Sequence, residues 1–151
     1  MSEEIDIVSE IEIAVPREQV AAFAADPDNA TRWREIFKEV KPEHGGPPAV
    51  GWRIVFVSTV LGSKLTYAYE VIEHVPGERL VMRTEDGPFA VQTTYAWEDL
   101  KGGGTRMTLH TNGAPEKKSL KVAVRMMAKG MQRADRKDLA RLKAVLEGAG
   151  G

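Results

Sequence analysis

Few side chains in this chain have the type and spacing to do chemistry, and Asp135 is the first of them. It falls between Met131 and Leu139 in a helical repeat of apolar residues. Its helical neighbours Met131, Gln132, Asp138 and Leu139 offer it no cation, whereas Asp138 has Arg141 and Glu147 has Lys143. Two readings follow. Asp135 is either a solvated carboxylate on a helix flank or one turned inward, where burial would raise its pKa and fit it to anchor a polar group or exchange a proton. The cations Lys117, Lys121, Arg125, Lys129, Arg133, Lys137 and Arg141 recur every fourth residue, and the row winds about 40° per step around a 3.6-residue helix. Such a row either meets an anionic membrane surface or an acidic partner, or is the solvated back of the helix. Other chemistries lack their residues. His44, His74 and His110 stand far apart without companions at metal-ligand spacing, and the absence of cysteine excludes thiol catalysis and thiolate metal sites. There is no Gly-x-Ser-x-Gly elbow, and Gly102-Gly103-Gly104 lacks the following Lys-Ser/Thr of a phosphate loop. No catalytic nucleophile is identifiable, and no cofactor or metal is expected.

The elements that must position these residues belong to a chain of 151 residues, 42% hydrophobic and 28% charged, which is long enough to bury one core as a single domain, 1–151. No apolar run reaches the ~18 residues of a membrane span and the acidic start is unlike a signal peptide, so a cytoplasmic protein with no integral membrane association is expected. The net charge is −1, but Glu116–Glu147 holds ten Lys and Arg against four acids, so this segment carries +6 and the remainder −7. With that balance and no recognition motif, nucleic acid is not an expected partner. A homodimer is compatible with the sequence, which does not decide it.

In chain order, Ile5–Val15 alternates apolar and polar residues as a half-buried strand does. Pro16 opens a short helix, Arg17–Ala25, and Asp26 or Asp28 caps a second through about Lys38; the pair carries Val20, Phe23, Trp33, Ile36 and Phe37. After a Gly/Pro loop, Pro42–Ala49, come strands at Val50–Val60, Lys64–Val75, Arg79–Glu85, Phe89–Leu100 and Thr105–Thr111, separated by turns short enough for antiparallel hairpins. Pro115–Gly148 is a long helix with Leu120, Val124, Met127, Met131, Leu139, Leu142 and Leu146 on one side and a glycine, Gly130, at mid-span. An antiparallel sheet with a helix across one face is an α+β architecture. Alternation assigns Trp52, Ile54, Phe56, Leu65, Tyr67, Tyr69, Val71, Phe89, Val91, Thr93, Tyr95, Trp97, Met107 and Leu109 to that face, and leaves the face of residues 79–85 undecided.

This order, together with Ile13-Ala14-Val15-Pro16-Arg17-Glu18-Gln19-Val20 with Phe23, Trp33-Arg34-Glu35-Ile36-Phe37, Val71-Ile72-Glu73-His74-Val75-Pro76-Gly77-Glu78-Arg79-Leu80, Gly87-Pro88-Phe89-Ala90, Gly103–Thr108 and Leu139–Lys143, resembles the helix-grip fold of the START-like (SRPBCC) superfamily over nearly the whole chain. The Trp33–Phe37 and Gly87–Ala90 stretches are similar to those of its polyketide cyclase/dehydrase branch. The resemblance implies a curved antiparallel sheet wrapped around a long C-terminal helix, two short helices after the first strand, and a cavity for a hydrophobic or aromatic small molecule, lipid- or polyketide-like.

It also implies a set of ligand-binding residues. Trp33 and Phe37 lie on the second short helix at the cavity mouth, where a flat indole can cover a bound ring. Phe56, Tyr67, Tyr69, Phe89 and Tyr95 would line the interior, with Met127, Met131 and Asp135 contributed by the roof helix. Plain core packing is the competing role for each aromatic and methionine. The aromatase/cyclases of the branch use a strand arginine to polarise carbonyls; Lys64–Val75 contains none, and Arg83 is the position that matches. The implied function is ligand binding. The alternatives are a polyketide cyclase/dehydratase using Arg83, Tyr67, Tyr69 and Asp135, and a partner-binding module like the heat-shock ATPase activator domains.

Overall fold

The alternation of the first strand holds in the structure, a computed structural model that describes residues 5–42, 48–60, 62–84, 86, 90–113 and 121–149. In β1 (Ile5–Ile13), Ile5, Ile7, Ser9 and Ile13 are buried while Asp6, Val8, Glu10 and Glu12 face solvent. Pro16 then starts α1 (Arg17–Ala25), its carbonyl accepting from the N–H groups of Gln19 and Val20 at 3.0 and 3.1 Å. Asp26 ends that helix in an extended conformation and caps a 3₁₀ turn, Pro27–Asn29, by accepting the Asp28 N–H at 3.0 Å.

The second helix is shorter than its apolar spacing suggests. It is α2 (Ala30–Trp33), and Phe37 lies on a strand, β2 (Phe37–Pro42), where Phe37 pairs with Ser58 and Val40 with Phe56. The helical spacing of Trp33, Ile36 and Phe37 is real but yields to tertiary bonding. The Glu35 N–H is taken by Asp138 at 3.2 Å, the Arg34 backbone is extended, and β-prone Phe37 and Val40 complete an open sheet edge.

The strands β3 (Arg53–Val60), β4 (Ser63–Val75), β5 (Arg79–Thr84), β6 (Val91–Asp99) and β7 (Thr105–Gly113) follow the turn signals closely. Seven strands form one antiparallel sheet in the order β1-β7-β6-β5-β4-β3-β2. Cross-strand rows such as Ile54↔Tyr69, Leu80↔Tyr95↔Leu109 and Thr93↔Thr111 fix the inner face. The unbroken pairing of β5 with β6, Leu80↔Tyr95, Met82↔Thr93 and Thr84↔Val91, turns Leu80, Met82 and Thr84 inward. Arg83 therefore points to the outer face.

The last helix, α3 (Lys121–Ala149), lies along β1 and touches α2. Leu139 and Leu142 are fully buried, each contributing about 1.5–3 kcal/mol. Its last turns are tied to β1 and the chain just beyond it: Glu147 accepts the Ala14 N–H at 2.8 Å, and Lys143 donates to the Glu12 carbonyl at 2.8 Å. Gly130 is on the exposed side, and a Cβ there would touch nothing. Gly104 is the opposite case, because a Cβ would fall 2.8 Å from the Ile13 carbonyl oxygen. The whole is a helix-grip α+β fold. No helix among the described residues is long and apolar enough to cross a membrane.

Candidate functional site

Between α3 and the sheet the interior is not uniformly apolar. A main cluster built on Trp33, Phe56, Tyr95, Leu139 and Leu142 is separate from a smaller one in which Ile5 and Ile7 meet Val91, Ala128 and Met131. Buried polar residues accompany these clusters: Arg34, Asp135, Asp138, Thr93 and Thr111.

Arg34 is the centre of this polar group. The extended turn after α2 carries it inward, leaving the residue 9% exposed, with Asp135 at 4% and Asp138 at 2%. Its Nη2 lies 3.8 Å from Asp135 and its Nε 3.4 Å from Asp138. Asp135 accepts a hydrogen bond from the Thr111 hydroxyl at 3.3 Å. Asp138 is better provided for, with the Glu35 N–H at 3.2 Å and Arg141 at 3.8 Å besides Arg34. The guanidinium carbon also stands 5.6 Å from the ring centres of both Trp33 and Phe37. Within this set the charge of Arg34 is answered but its hydrogen bonds are not. Its Nε and Nη1 have no hydrogen-bond partner among the described residues, and neither do the buried Trp33 Nε1 and Ser58 Oγ.

Burial pushes the Asp135 carboxyl up, against the pull of Arg34, while Asp138 adds to the rise and Thr111 opposes it. Asp138 is also raised by burial, with Arg34, the Glu35 N–H and Arg141 acting the other way. Arg34 remains a cation: burial works against its charge, but Tyr95, Asp135, Asp138 and Tyr69 together hold its pKa above the ordinary value. Burial pushes Tyr69 up to about 12, so its phenol keeps its proton and can donate or accept a hydrogen bond. The aromatics interlock around the cation, with Trp33 edge-on to Tyr95 at 5.4 Å, Phe37 stacked on Phe56 at 4.3 Å, and Tyr69 edge-on to Phe56 at 5.3 Å.

Of the residues singled out from sequence, Trp33, Phe37, Phe56, Tyr69, Tyr95 and Asp135 converge on this place. Tyr67 shares the inner face, opposite Phe56 and nearer the β3–β4 turn, and Met131 lies with the smaller cluster under α3. Arg83 does not join them, since it sits on the outer face near Arg53, Glu70 and Asp86. Phe89 and the Met127 side chain lie outside the described residues. Sequence reading missed Arg34, Asp138 and Thr111 as members of the group. The available signal was Asp135 itself, because a carboxylate on an apolar face without an intrahelical cation requires one from another element. A separate groove of about 510 Å³ runs between α1 and the β4–β5 turn, lined by Ala21, Ala22, Ala25, Pro48, His74 and Pro76. It contains none of these residues.

The family model described as polyketide cyclase/dehydrase and lipid transport matches residues 4–147. No curated protein matches the chain. Among solved structures, the chain is similar to the Thermus thermophilus protein TTHA0849, at 19% identity and TM-score 0.76 over 97% of this chain and 99% of that one. It is similar to the Staphylococcus aureus protein SA2116 at 15% identity and TM-score 0.80, over 99% and 97% of the two chains. It is also similar to the di-domain ARO/CYC StfQ of the steffimycin biosynthetic pathway, at 14% identity and TM-score 0.79 over 98% of this chain and 52% of that one. These likenesses show the shared fold.

Proposed function

We propose that this chain, which belongs to the polyketide cyclase/dehydrase and lipid transport family, holds an apolar or aromatic small molecule between α3 and the sheet with one of its oxygens on Arg34. The observation that carries this reading is the pair of unmet N–H groups on Arg34. A buried donor without an acceptor costs about 1–3 kcal/mol, and a ligand carbonyl or hydroxyl oxygen on Nη1 would offset that cost. Trp33, Phe37, Phe56 and Tyr69 pack together beside the same point, so a ligand ring would be seated among these aromatic faces, with the hydroxyls of Tyr69, Thr93 and Thr111 to orient it. Arg34 thereby takes the carbonyl-orienting role that the family resemblance had suggested for Arg83.

A second reading, catalysis, is favoured by the raised pKa of Asp135 close to that seat. With a ketone oxygen on Arg34, Asp135 would take a proton from the carbon next to the carbonyl, and the C–H electron pair would pass into the enolate held by Arg34. Native mass spectrometry of the protein purified from its own cells tests the binding reading. A retained small molecule that denaturation releases is the expected result, and a bare chain from cells in which the protein is abundant would contradict it. Turnover of a β-ketone chain by the bound protein separates the catalytic reading from simple carriage.

A further inference from the structure

We infer that Asp135 is the specificity determinant of this interior, making it select uncharged ligands and refuse anions. The inference rests on the binding reading above and deepens it. Arg34 alone would invite a carboxylate, since a buried guanidinium with free N–H groups pairs with one readily. Here its charge is already exceeded. Asp135 and Asp138 stand 3.8 and 3.4 Å from it, so with both carboxyls ionised the three buried groups sum to −1 before any ligand arrives. The surrounding charges do not alter the balance. Arg141, 3.8 Å from Asp138, is half-exposed and answered by Glu35 at 3.4 Å, and among the described residues the other groups facing Asp135 are the neutral Thr111 hydroxyl and the Tyr95 phenol. An anion seated on Arg34 Nη1 would be the third negative charge in a poorly solvated space, where like charges repel strongly.

The two aspartates are not equivalent in this. Asp138 is bound by a backbone N–H and two arginines, and its place is structural, joining α3 to the turn after α2. Among the described residues Asp135 has Thr111 and the more distant nitrogen of Arg34. Its charge is therefore the one that sets what may enter. As an anion it repels acids and accepts from a ligand hydroxyl. The favoured ligand is a neutral ketone, ideally with a hydroxyl beside the carbonyl to donate to Asp135 while the carbonyl accepts from Arg34. Free fatty acids and aryl carboxylates are refused.

Two probes of equal ring size, acetylnaphthalene and naphthalenesulfonate, test this by fluorescence or calorimetric titration of the whole chain. The sulfonate keeps its charge at every usable pH, so any change with pH belongs to the protein. Near pH 7.5 the ketone should bind about tenfold or more tightly than the sulfonate. In Asp135→Asn the gap should close, chiefly because the sulfonate gains. The unaltered protein provides the same readout without a variant: since burial raises the Asp135 pKa, lowering the pH through that raised carboxyl range should strengthen sulfonate binding and leave the ketone little changed. Equal affinity for the two probes in the unaltered protein, or a gap unmoved by both Asp135→Asn and pH, would overturn the specificity role while leaving ligand binding intact. Failure of both probes to bind would overturn the binding reading and the selectivity with it.

Discussion

Replacing Arg34 by Met preserves length and apolar contact with Trp33 and Phe37 but leaves Asp135 and Asp138 facing each other without their shared cation. At an effective dielectric near 20, a charge pair at 3.4 or 3.8 Å attracts by about 4–5 kcal/mol before desolvation is subtracted. The measured consequence of removing one member of a buried pair is about 3–5 kcal/mol, and that is the loss expected at neutral pH. With a urea slope of about 2 kcal/mol/M, the unfolding midpoint should fall by about 2 M. The pH dependence has a definite sign. Both carboxyls already have folded-state pKa values above ordinary, so their contribution is most favourable below the ordinary carboxylate value and is lost as pH rises through the raised ones. Without Arg34 the rise is larger, so the deficit of Arg34→Met should be small near pH 4 and fully developed by about pH 7. Adding Asp135→Asn and Asp138→Asn should recover much of the loss. A deficit under about 1 kcal/mol, or one equal at both pH values, would refute the buried-triad account.

Gly130→Ala should stabilise the protein by about 0.5–1 kcal/mol in thermal or urea unfolding, since the site is helical, exposed and empty around the added methyl. Gly104→Ala should destabilise it by about 1–3 kcal/mol in the same assay, because the new methyl meets the backbone carbonyl of Ile13 at 2.8 Å. Glu147 has a pKa below ordinary, held there first by the Ala14 N–H and then by Lys143, so its stabilisation is present above the ordinary value and fades as pH falls through the lowered one. Glu147→Gln should remove that part of the acid limb and speed amide exchange at Ala14, measurable by hydrogen exchange.

The strands were legible because alternation and turn chemistry act locally: Ile5 to Ile13, and the Pro76-Gly77 and Gly102-Gly103 turns, encode their structure within a few residues. β2 was hidden because Trp33, Ile36 and Phe37 also satisfy helical spacing, and only pairing with Ser58 and Phe56 decides between the two. The inward turn of Asp135 was legible as a question, from its missing intrahelical partner. Its answer, Arg34, lies 101 positions away and enters through a turn whose geometry depends on an Asp138 hydrogen bond, a relation that no local pattern carries. Arg83 was misassigned to the cavity for a similar reason. Pairing with β6 sets the face of β5, and one residue of register exchanges Arg83 for Met82.

The central claim is that a ligand oxygen takes the unmet N–H groups of Arg34. The most direct measurement is the guanidinium Nη1–H resonance of Arg34 in a low-temperature heteronuclear NMR spectrum during titration with acetylnaphthalene. A saturable shift of that resonance, parallel to the fluorescence binding curve, is the predicted result. Saturable binding of the ketone with the Arg34 resonance unmoved would contradict the claim.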